Sequence, residues 1–118
     1  EGEARLRKAV PGYYPRIIRA GTAAAVVEDT CFIAYDIYLS AGKNVPDAVV
    51  EATLKAIWEN VDKLPPLHPI FREWTRERAV EPDVTIPYHP GAIRFYKERG
   101  VWTPALEQAQ QKLLAVNP

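Results

Sequence analysis

The groups in this sequence that could carry chemistry are His68, His89, Cys31, Asp36 and Ser40. Each histidine precedes a proline, in Leu67-His68-Pro69-Ile70-Phe71-Arg72 and in Tyr88-His89-Pro90-Gly91-Ala92-Ile93-Arg94. A metal site would recruit both, with an acid such as Glu73 or Glu98. Their separation of 89 − 68 = 21 positions matches no zinc pattern, and no helix puts two histidines on one face. General acid–base work needs a nucleophile or a paired carboxylate near the imidazole, and neither stands at a telling spacing. Both histidines therefore read as helix-entry residues whose imidazoles bond the first turn. Cys31 opens an apolar run and reads as a buried small hydrophobe; alone, it can form no disulfide within the chain. Ser40, the single serine, lacks the context of a nucleophile elbow. The six glycines form no phosphate-binding loop. No catalytic residue, metal ligand or cofactor site is expected.

The elements that hold these groups set the fold class. Glu1 to Val10 reads as the end of a helix, with Leu6 and Val10 four apart and Arg5, Arg7 and Lys8 near its C-terminus. Pro11-Gly12 stops it. Tyr13 to Ala20 is short and extended, because Pro15 forces Tyr14 out of the helical region and Ile17-Ile18 favour a strand. Gly21-Thr22 breaks that run. Thr22 to Val27 is small and apolar, suited to a loop or a short buried segment, and Glu28-Asp29 marks a turn. Thr30 to Ser40 is the best strand, nearly continuous in apolar and aromatic residues. Such runs belong to strands covered on both faces. Asp36 interrupts it, either facing solvent or a neighbour, or contacting a ligand in a cleft.

Helical spacing dominates the remainder. Pro46 to Lys63 is the strongest helix, with Val50, Leu54, Ile57, Trp58 and Val61 as its buried stripe and Asn44 or Asp47 as cap. Pro69 to Glu77 reads as a short helix. Pro90 to Arg99 reads as another, closed by Gly100. Thr103 caps a last helix that Pro104 begins, with Leu106, Ala109, Leu113 and Leu114 on one side. Two or three strands followed by four helical segments make an α/β chain. Two clear strands are too few for an independent sheet, so they belong to a larger one.

Length and charge bound the function. The chain has 118 residues, enough for one domain, so 1–118 is taken as a single unit. Lys+Arg and Asp+Glu are both 15, leaving no basic surplus for nucleic acid or an anionic membrane. The longest apolar run is far below the roughly 20 residues of a membrane span. The sequence has no methionine, so Glu1 reads as a trimmed start within a longer parent.

Four segments together resemble one family. Ile86-Pro87-Tyr88-His89-Pro90-Gly91-Ala92-Ile93-Arg94-Phe95-Tyr96-Lys97-Glu98-Arg99-Gly100 is similar to the C-terminal signature of TAXI-family solute receptors of TRAP transporters. Val45-Pro46-Asp47-Ala48-Val49-Val50, leading to Ala56-Ile57-Trp58-Glu59-Asn60-Val61-Asp62, resembles the family's helix after a crossover strand. His68-Pro69 falls where the family has its other His-Pro. Ala20-Gly21-Thr22, after Tyr13-Tyr14-Pro15, resembles its Ala-Gly-Thr element.

That resemblance implies the C-terminal part of a two-lobed, periplasmic-binding-protein-like receptor. Such a protein is extracytoplasmic, serves membrane permease subunits, and closes on a small carboxylate or amino acid without chemistry. It places Ala20, Gly21, Thr22 and Asp36 near the solute. Where the family usually continues with Tyr-Pro-Gly-Gln, this chain has Ala23-Ala24-Ala25-Val26, which offers no side-chain donor and points to a smaller or more apolar solute. The alternative is a structural module that self-associates through apolar faces and has no ligand site. An enzyme would instead require Asp36, His68 and His89 to converge.

Overall fold

The structure, a computed structural model, describes residues 1–116. It divides into two compact units, 1–39 and 40–118. Among the described residues the chain is α/β, with four α-helices and one two-stranded antiparallel sheet.

In the first unit, α1 (Gly2–Ala9) is followed by β1 (Tyr13–Ile18) and β2 (Thr30–Tyr35). The strands run antiparallel in register from Tyr13↔Tyr35 to Ile18↔Thr30. Gly12 adopts φ 87°, the left-handed conformation that turns α1 into β1. β2 ends at Tyr35, so residues 36–40 of the expected strand lie outside the ladder. Its side chains are more open than the continuous apolar run suggests: Ile33 is 65% exposed and Tyr35 61%, and Cys31, expected to be buried, is exposed because nothing packs on that face of the ladder within this unit. Within this unit the β2 ladder has one partner, so only backbone pairing and one-sided contacts hold it. Tyr13 and Tyr35 face each other with ring centroids 5.5 Å apart, and the Arg7 guanidinium lies 5.8 Å from the Tyr14 ring.

In the second unit, α2 (Asp47–Asn60) runs into a 3-10 turn (Val61–Lys63). Neither Asn44 nor Asp47 caps α2. Pro46 occupies the cap position without a side-chain bond, and Asp47 is the first helical residue. Its carboxylate instead accepts from Arg94 at 2.7 Å. The expected helix from Pro69 is a 3-10 segment, Pro69–Glu73, ended by Trp74. α3 (Pro90–Glu98) ends at Gly100 with φ 70°, as its expected C-terminal glycine requires. α4 (Pro104–Val116) begins after Thr103, whose hydroxyl accepts from the Leu106 amide at 3.3 Å.

The core of this unit is Val50, Ala92, Phe95 and Tyr96, with Leu54, Trp58, Val80, Tyr88 and Trp102 packed against it. The Trp58 and Phe95 rings meet edge to face at 5.8 Å. Gly91 explains how closely α3 approaches α2, since a Cβ there would lie 2.7 Å from the Asp47 carbonyl oxygen. Tyr96 is buried, and the loss of hydration pushes its phenol up to about 12. Gln110, on the apolar side of α4, is the buried polar residue of the unit. Its amide accepts from the Tyr88 N–H at 2.7 Å and donates to the Tyr88 carbonyl at 3.1 Å, as a neighbouring strand would.

Candidate functional site

The candidate residues Ala20, Gly21 and Thr22 lie on the connection 19–29 between β1 and β2. The Thr22 amide donates to the Arg19 carbonyl at 3.1 Å, closing a four-residue turn. Gly21 sits third in that turn with φ 79°, a left-handed position where glycine is unstrained. The Gly21 amide reaches the Val26 carbonyl at 2.8 Å, and the Val26 amide reaches the Ala23 carbonyl at 2.9 Å. Val26 is buried, whereas Val27 is exposed, so one valine anchors the loop.

The base of the loop is held by charge. One step beyond the last strand pair, Ile18↔Thr30, Arg19 and Asp29 face each other. Arg19 Nη1 donates to Asp29 Oδ2, and the Ala20 amide donates to Asp29 Oδ1 at 3.0 Å. The Ala20 N–H, then the Arg19 guanidinium, hold the Asp29 carboxyl below the usual carboxylate range. Thus the amides of Ala20, Gly21 and Thr22 all have acceptors inside the loop. The groups that can face a solute are the loop carbonyls, the Thr22 hydroxyl and the Arg19–Asp29 pair. Residues 19–25 are exposed, and a methyl group built on Gly21 would meet nothing within 4 Å.

Asp36 lies on the same unit, just past β2. It accepts from the Tyr14 hydroxyl at 2.9 Å, which ties the end of β2 to β1. Tyr14 pairs with Ala34 near one end of the ladder, whereas the Ala20 loop follows Ile18 at the other. The ladder therefore separates Asp36 from Ala20-Gly21-Thr22 along its length.

Both histidines do what their position before proline implies. The Ile70 amide donates to His68 Nδ1 at 3.2 Å, and the Gly91 amide donates to His89 Nδ1 at 3.1 Å. His89 is nearly buried, with Nδ1 3.6 Å from Asp47 Oδ1 and Nε2 without a hydrogen-bond partner. Among the described residues, no group of three or more His, Cys, Asp or Glu is placed to hold a metal ion. An open apolar groove on α2 is lined by Ala48, Val49, Ala52, Thr53, Ala56 and Ile57. Its one hydroxyl, on Thr53, already donates to the Val49 carbonyl at 2.8 Å, so the groove's side chains offer a solute no free donor.

A sequence profile of the NMT1-like family matches residues 1–100, most of the 118-residue chain. The chain belongs to the NMT1-like family. That membership fits a periplasmic-binding-protein-like fold and a solute-binding function in general. It spans both units, so the hairpin and the helical core are parts of one NMT1-like sequence. No curated protein matches the chain. Among the described residues, no helix is long and apolar enough to cross a membrane.

In the sequence Arg19 reads as part of an extended run and Asp29 as a turn residue. Opposite charges at the two ends of a strand–loop–strand segment were the available signal. Their meaning depends on the antiparallel register. Gln110 was also missed, although it stands four residues after Leu106 on the buried stripe.

Proposed function

We propose that this NMT1-like chain is the C-terminal part of an extracytoplasmic solute-binding subunit of a TRAP-type transporter of the TAXI group. On this reading residues 1–118 act together within a larger receptor. They bind a small carboxylate or amino acid without any covalent step and present it to membrane permease subunits. Ala20, Gly21 and Thr22 contact the solute, whereas Asp36, at the opposite end of the β1–β2 ladder, keeps its bond from Tyr14 and lies apart from that contact. The observation that carries the reading is the family match over residues 1–100. The His-Pro-Gly-Ala and Ala-Gly-Thr elements support the finer assignment, and an exposed, well-tethered loop suits a contact surface built on a strand end.

Thermal denaturation against a panel of amino acids and organic acids tests the reading. A solute held at a hundred times its Kd adds about 2.7 kcal/mol, which raises the midpoint by several degrees. A panel that leaves the midpoint unmoved would remove the proposal.

A second reading, self-association without a ligand, is favoured by the open apolar residues of the first unit. Ile17, Ile33, Tyr35, Ile37 and Leu39 are all more than half exposed. Light scattering distinguishes it, because a monomer across the micromolar range would contradict an assembly driven by those side chains.

A further inference from the structure

We propose that His89 is a proton-operated switch at the seam of α2 and α3: its neutral imidazole caps α3, and its protonated imidazole gives up that cap for Asp47 on α2. The switch lies in the helical core of the second unit and does not depend on the solute reading.

The two His-Pro corners make the same cap with the same atom. Each Nδ1 accepts the amide two residues on, from Ile70 at His68 and from Gly91 at His89. A ring nitrogen that accepts carries no proton, so each neutral ring holds its proton on Nε2. The surroundings of the two rings differ. His68 is exposed, and water can satisfy either of its nitrogens. The His89 side chain is 9% exposed, its Nε2 is buried without a hydrogen-bond partner among the described residues, and Asp47 Oδ1 lies 3.6 Å from its Nδ1. Nδ1 of His89 therefore faces an N–H donor and a carboxylate acceptor at once. Its protonation decides which of them it can hold.

Asp47 is placed to receive the protonated ring. Its Oδ2 takes Arg94 Nη2 at 2.7 Å, which leaves Oδ1 on the imidazole side. At 3.6 Å the neutral ring and the carboxylate make no hydrogen bond, but a small turn of the ring closes the gap once Nδ1 carries a proton. A charge-assisted bond to Asp47 then replaces the bond from the Gly91 N–H, since two donors cannot face each other. The charges at the seam favour the exchange. Asp47 and Glu51 of α2 share the single guanidinium of Arg94 on α3, so one carboxylate charge is left over for an imidazolium. The core behind the seam is neutral. The Tyr88 hydroxyl donates to the Glu81 carbonyl, the Gln110 amide bonds the Tyr88 backbone, and burial pushes the Tyr96 phenol up to about 12.

Gly91 locates the effect. It backs onto the Asp47 main chain, where a Cβ would lie 2.7 Å from the carbonyl oxygen. The Ile93 amide, in contrast, bonds the His89 carbonyl at 3.0 Å, a main-chain bond that the imidazole does not enter. Protonation thus releases one amide of α3 and leaves the bond that follows it in place.

Hydrogen exchange and NMR on the whole 118-residue chain test the switch between about pH 8 and about pH 5, the interval in which histidine ordinarily changes charge. Protection of the Gly91 amide, corrected for its intrinsic rate, should fall about tenfold across that interval, while Ile93 keeps its own. The ring-nitrogen shifts of His89 should show Nδ1 passing from acceptor to N–H in the same interval. Asp47→Asn should move the Gly91 transition about one pH unit lower, because the imidazolium loses its carboxylate, and should leave the response of Ile70 at the other corner as it was. His89→Asn keeps a capping oxygen and cannot titrate, so Gly91 should stay protected throughout. Gly91 protection that ignores pH in the native chain, or that falls together with that of Ile93, overturns the switch. So does a transition that Asp47→Asn leaves in place. Should His89→Asn fail to fold, Asp47→Asn and the ring-nitrogen shifts decide.

Discussion

The two units of this chain are held by different forces. Residues 40–116 have a side-chain core: Val50 and Phe95 interlock between α2 and α3, Gly91 permits the close approach, and Gln110 satisfies the Tyr88 backbone. Residues 1–39 have a ladder, a tethered loop and a few ring contacts, with Val26 as their one buried hydrophobic residue. Hydrophobic burial dominates stability, whereas an exposed backbone bond contributes little net. The second unit should therefore carry most of the chain's stability, and the first should open at lower cost. The solute-contact loop proposed above suits such a unit, because a segment that opens at low cost can adapt to a ligand.

The largest expected difference comes from Phe95. Phe95→Ala should cost about 3–5 kcal/mol, read as a lowered denaturant midpoint by tryptophan fluorescence. All three tryptophans, Trp58, Trp74 and Trp102, belong to the second unit, so that signal reports on it alone. Ile33→Ala on the open face of β2 should leave the same midpoint unmoved. An equal loss from Ile33→Ala would erase the contrast between the units.

An alkaline limb comes next. The Tyr96 phenol titrates at about 12 when folded and near 10 when unfolded, so the folded state holds its proton over that interval. The group's stabilising contribution is complete below pH 10 and is lost as pH rises to 12, a loss of about 2–3 kcal/mol. Tyr96→Phe should flatten that limb of the stability–pH curve, and an unchanged slope would mean that the burial of Tyr96 does not matter.

Gln110→Ala should cost about 1–3 kcal/mol, since it strands the buried N–H and C=O of Tyr88. Gln110→Glu should recover only the bond from the Tyr88 N–H. The smallest effect belongs to the first unit. Gly21→Ala meets no steric neighbour but must adopt φ near 79°, costing about 1–2 kcal/mol locally. It should loosen the 19–29 loop in amide exchange without moving the tryptophan signal.

The sequence was most informative where the determinant is local. Four of the five stripe residues, Val50, Leu54, Trp58 and Val61, are buried or partly buried as expected, whereas Ile57 lines the open groove of α2; the two His-Pro entries, Gly100 and the Thr103 cap depend on neighbours within a turn or two and appear as expected. The segment after Pro69 shows the limit of such reasoning. Ile70, Phe71 and Trp74 have helical spacing, yet the backbone stays 3-10 and the rings of Phe71 and Trp74 stack edge to face at 5.2 Å. Long-range pairs were illegible. Arg19–Asp29, Tyr14–Asp36 and Gln110–Tyr88 each require knowing which segments lie side by side. The β1–β2 register supplies the first two, and the docking of α4 on the Tyr88 segment supplies the third. The Ala-Gly-Thr element could be placed on a loop from sequence, but the groups that tether it could not.

Amide hydrogen exchange with and without a binding solute tests most directly whether the first unit carries the contact surface. The account predicts slower exchange at residues 20–30 when the solute is present, with α2 and α3 unchanged. Protection confined to the second unit, with the Ala20–Thr22 amides exchanging as before, would contradict it.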